Sequence, residues 1–64
     1  MEYTRAQQGA MKRAVAGIDD ARTEIEVAAR LLESLGLDRD GRALRAVSAR
    51  LASTKSVLTT MVVR

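Results

Sequence analysis

Apolar residues recur along this chain with the spacing of a helix that hides one side. From Met11 onward every seventh residue is large and apolar: Met11, Ile18, Ile25 and Leu32. Three residues after each comes a second apolar set, Ala14, Ala21, Ala28 and Leu35. Alternating steps of three and four draw one stripe down an α-helix. A second stripe follows at Leu37, Leu44, Leu51 and Leu58, with Val47 and Met61 offset by three. Two amphipathic helices are therefore predicted. Their core is expected at Met11, Ala14, Ile18, Ala21, Ile25, Ala28, Leu32, Leu35, Leu44, Val47, Leu51, Leu58 and Met61.

The boundaries follow from the residues between the stripes. Thr4 followed by Gln7 fits a capping box, so the first helix begins near Arg5. Gly9 and Gly17 each cost about 1 kcal/mol relative to Ala inside a helix. The seven-residue phase nevertheless runs through Gly17 without a slip, so the helix is expected to continue. Gly17 falls beside the stripe, where a small residue would let a neighbouring backbone approach. In Leu35-Gly36-Leu37, Gly36 can take the left-handed position that ends a helix, and Leu37 can fold back on Leu31 or Leu32. Asp38 is expected to cap the second helix. One domain, 1–64, results: a helix over about 5–35, a loop over about 36–39 and a helix over about 39–62. So short a connection makes the helices antiparallel neighbours. Ser53, Ser56, Thr59 and Thr60 lower helix propensity, so the second helix is expected to fray toward its end.

Size changes this picture. A chain of 64 residues buries only about 60% of its unfolded surface, and chains this small commonly need a disulfide, a metal or a partner. Cysteine and histidine are both absent, so association is the remedy left. Val15, Leu31, Val57 and Val62 lie off the main stripes and widen the apolar surface beyond what one partner helix covers. With Met61 they are the expected interface. The predicted architecture is an all-α antiparallel helical hairpin that dimerises into a four-helix bundle.

Charge is unevenly spread. Residues 1–37 carry five basic against six acidic side chains, and residues 38–64 carry six against two. Arg39, Arg42, Arg45 and Arg50 on the second helix are candidate phosphate contacts. No aromatic platform accompanies them, and no compact third helix supports a helix-turn-helix reader. No run of 18 apolar residues exists, so no membrane span is expected. A basic segment followed by an apolar core is not seen at the start either. Residence in the cytoplasm is the default expectation, although signal-independent export would leave no such mark.

Catalytic and metal constellations are weak. Asp19 and Asp20 are adjacent and point different ways on a helix. Asp38-Arg39-Asp40-Gly41 begins like a calcium loop, but the Gly comes too early and the twelfth position is Ala49. Carboxylates such as Glu26 and Glu33 lack the histidines that di-metal bundles add. Lys55 and Ser56 are neighbours in sequence and do not converge as a nucleophile–base pair. No catalytic residue, cofactor or metal is expected. In outline the hairpin resembles the small secreted WXG proteins, with Ser34-Leu35-Gly36 standing where their Trp-x-Gly turn falls. The tryptophan of that motif is absent, as is the terminal tyrosine-plus-acid signal, so the resemblance covers architecture alone.

The reading that follows is a non-catalytic protein–protein interaction or assembly module, self-associating or paired with a helical partner. The alternative is a small nucleic-acid-associated regulator using the basic second helix. Ile25→Asp or Leu51→Asp places an unpaired charge on the inner stripe, and far-UV circular dichroism should show a loss of helix. Full helicity and unchanged mass in either variant would remove that residue from the core.

Overall fold

A computed structural model describes residues 3–63, and the side chains of residues 3–61. Helix α1 spans Arg5–Ser34 and helix α2 spans Asp38–Val63. They pack against each other as an antiparallel hairpin about 48 Å long. No helix among the described residues is long and apolar enough to cross a membrane.

Local chemistry sets both ends of α1. Thr4 and Gln7 form a full capping box: the Gln7 amide donates to Thr4 Oγ1 at 3.1 Å, and the Thr4 amide donates to Gln7 Oε1 at 2.8 Å. At the other end Gly36 has φ +81°, in the left-handed region that favours glycine. The Leu37 amide reaches back to the Leu32 carbonyl at 2.9 Å, and the Gly36 amide to the Glu33 carbonyl at 3.0 Å. These two bonds are a Schellman ending, which satisfies carbonyls the helix leaves open. Leu37 itself stays 45% exposed. Its carbonyl accepts the first bond of α2, from the Gly41 amide at 3.0 Å. Leu37 therefore holds the cap position expected for Asp38. Asp38 and Asp40 lie inside the first turn, where negative charge complements the helix dipole.

Helix α2 does not stop early. Thr54 and Thr60 donate their hydroxyls to the carbonyls four residues back, Arg50 at 3.2 Å and Ser56 at 2.9 Å. Such back-bonding slightly weakens a helix, and α2 nevertheless continues to Val63.

The seam between the helices differs from the expected one by a rotation. Met11, Ile18, Ile25 and Leu32 line it, each half-buried. Their partners come four residues later, not three: Val15, Arg22 and Ala29. On α2 the seam runs through Gly41, Leu44, Ser48, Leu51, Lys55 and Leu58. Each helix is thus turned by about 50°, half the angular step of one residue. Of the expected core, Ala14, Leu35 and Val47 are exposed, Leu35 by 73%. Ala21 and Ala28 are half-covered at the seam's edge.

Small residues explain the rotation. Ala29 is fully buried and Ser48 is 3% exposed. A methyl group on Gly41 would stand 3.1 Å from the Ala29 carbonyl oxygen and 2.7 Å from Glu33 Cγ. The two backbones therefore come closest at Ala29 and Gly41. Gly17, expected to serve that purpose, has open space around it. Hence Gly17→Ala should raise stability by about 0.5–1 kcal/mol, because only helix propensity changes. Gly41→Ala should lower it by about 1–2 kcal/mol, the crowding outweighing the propensity gain. Thermal melts of the pair check both signs, and equal stabilisation would refute the close approach.

Candidate functional site

Positions seven apart return to nearly the same side of a helix. The seam is therefore bordered by two flanks, each built from both helices, and they differ in chemistry. One flank is ionic. On α1 it holds Lys12, Asp19, Glu26 and Glu33, and on α2 it holds Arg45 and Lys55. Arg45 grips the Glu33 carboxylate with two donors, Nη2 to Oε1 at 2.7 Å and Nε to Oε2 at 3.1 Å. Lys55 Nζ donates to Asp19 Oδ1 at 2.6 Å. Between these pairs Arg22 Nε donates to Ser48 Oγ at 3.3 Å. No buried side-chain polar atom among the described residues lacks a partner.

The opposite flank is the row the sequence places in the core: Ala14, Ala21, Ala28 and Leu35 on α1, with Val47, Thr54 and Met61 on α2. Asp40, exposed and seven residues before Val47, is the one charged residue in this row among the described residues. The hairpin has thus closed on the less apolar of two available sets. Arg22, Ser48 and Lys55 lie on the seam, while three alanines, a leucine and a valine lie beside it. Long basic side chains can cover apolar surface with their stems while the charged heads reach the ionic flank. The hydrophobic stripe of each helix is therefore wider than the partner helix covers.

Of the sequence-predicted interface residues, Leu31, Val57 and Met61 lie on or beside the apolar flank. Val15 is half-buried on the seam and Met61 half-buried on the apolar flank. Leu31 and Val57, 61% and 60% exposed, lie seven residues beyond Glu24 and Arg50, along the outer edges of the apolar flank. The side chain of Val62 lies outside the described residues. The four candidate phosphate contacts are dispersed. Arg45 is engaged by Glu33. Arg50 stands at the outer edge of the apolar flank, Arg39 on the back of α2 and Arg42 at the outer edge of the ionic flank; all three are exposed. An open depression on the ionic side is lined by Arg22, Ala52, Lys55, Ser56, Thr59 and Thr60. Among the described residues no three acidic, histidine or cysteine side chains are placed to hold a metal ion. Periodicity alone does not mark Arg22, Gly41, Ser48 or Lys55 as seam positions, because a hydrophobic count scores each of them as a non-core residue.

The chain matches no family model, no curated protein and no solved structure.

The Glu33 carboxyl lies below the ordinary carboxylate range because it accepts hydrogen bonds from Arg45, with the guanidinium charge adding to the effect against partial desolvation. The Arg45 guanidinium is raised by the same contact. A carboxylate depressed in the folded state contributes stability that is present above its unfolded pKa and lost as pH falls through the folded one. Acidification through that window should therefore lower the melting temperature, and Glu33→Gln should flatten this dependence. An identical pH profile in Glu33→Gln would show that the pair carries no pH-linked stability.

Proposed function

We propose that this chain is a non-catalytic assembly module that works by pairing its apolar flank with a second helical hairpin. One observation supports this reading above the others: the fold fills its seam with Arg22, Ser48 and Lys55 while Ala14, Ala21, Ala28, Leu35 and Val47 stand beside it. A hairpin meant to function alone gains most by turning its most apolar row inward. A three-row stripe is what helices show when they contact more than one neighbour, as in a four-helix bundle. Small alanines alternating with larger residues allow a second layer of helices to approach closely.

Light scattering over a range of concentrations tests the proposal. The expected mass is above that of one 6.9 kDa chain, with a melting temperature that rises with concentration. Ala21→Glu places a charge in the middle of the flank and should return the chain to single-chain mass. A single-chain mass at all concentrations, together with no effect of Ala21→Glu on melting, would overturn the reading.

A further inference from the structure

Surface area and charge together identify what covers the apolar flank. A compact monomer of this mass exposes about 4,000 Å², whereas this chain exposes 5020 Å². The surplus of roughly 1,000 Å² is close to the area, about 800 Å², that each partner hides in a standard stable interface. The shape agrees: the radius of gyration is 14.8 Å, against about 11 Å for a compact chain of this length. A rod laid against a second rod of the same length removes such a surplus.

The edges of the flank select the occupant. Glu24 is one helical turn from both Ala21 and Ala28, on their outer side, in one row with Leu31. Arg50 stands in the same relation to Val47 and Thr54, in one row with Val57. All four are exposed, and neither Glu24 nor Arg50 makes an ion pair among the described residues. The flank is thus edged by an acid, Glu24, and Leu31 along α1, and by a base, Arg50, and Val57 along α2. Such a surface is complementary to itself.

We infer that the occupant is a second copy of this chain, related by a twofold axis parallel to the rods, with α1 of each copy lying on α2 of the other and both turns at the same end. The inference rests on the pairing function proposed above. A closed twofold pair uses the same patch on both copies. An axis along the rods lays each α1 edge on the other copy's α2 edge, acid against base. It also preserves height along the rod. Asp19 is level with Lys55 and Glu33 with Arg45, so Glu24 is level with Arg50, and each would meet its counterpart across the interface. An axis perpendicular to the rods would instead lay α1 on α1 and α2 on α2, setting acid against acid and base against base.

Cysteine is absent from the chain, so introduced thiols report the arrangement cleanly. Glu24→Cys and Arg50→Cys chains are prepared separately, mixed, and treated with a short bis-maleimide. The mixture should yield several-fold more covalent dimer than either variant alone. In a second measurement Glu24→Arg should weaken dimerisation several-fold, and adding Arg50→Glu in the same chain should restore it. A dimer that cross-links through Glu24→Cys alone, or through Leu31→Cys alone, overturns this arrangement and leaves helical pairing standing. A single-chain mass at every concentration overturns both. Circular dichroism of each variant confirms that the hairpin is intact, since all substituted positions are exposed.

Discussion

The close passage of two backbones at Ala29 and Gly41 governs the rest of this hairpin. A glycine in the first turns of α2 faces a fully buried alanine on α1, with no room for a methyl group between them. Close contact of this kind gains dispersion energy over many atom pairs, each weak alone. It also fixes rotation. Once Ala29 and Gly41 lie face to face, every position along both helices is assigned to the seam, a flank or the back. Ser48 falls on the seam next, where its small volume fits and Arg22 satisfies its hydroxyl.

That rotation divides charge from apolar surface. The Glu33–Arg45 and Asp19–Lys55 pairs both span the helices on the same side. Partly exposed ion pairs add little net stability. Their contribution here is one of orientation: they favour the rotation that the small residues permit. The cost is that alanines, a leucine and a valine are left on the other side, next to a seam in which no large side chain is fully buried. A core of this kind is thin for a chain of 64 residues. The second layer of helices proposed above would supply burial that this one lacks.

The asymmetry also bears on the basic second helix. Taken as a list, its arginines look like one electrostatic feature. In three dimensions Arg45 is part of the hairpin's own ion pairing, Arg42 is at the outer edge of the ionic flank, Arg39 is on the back, and Arg50 borders the apolar flank. Positive charge at the margin of an apolar strip, with negative charge at its opposite margin, sets orientation and register between partners more than it adds affinity.

Short-range features were legible in the residues themselves. The Thr4–Gln7 box, the left-handed Gly36 ending, the uninterrupted passage through Gly17 and the all-helical hairpin all depend on contacts within a few positions of one another. Helix periodicity likewise marked which broad side of each rod is apolar. Which third of that side turns inward was beyond it. Two candidate rows, one three residues and one four residues from the leucines and isoleucines, differ by a single step of the helix, and hydropathy favours the wrong one. Only the packed structure decides between them, because the choice depends on whether a Cβ fits against a carbonyl on another helix and on which charges meet across the pair. Those are properties of two surfaces brought together, and neither strand of sequence carries them alone.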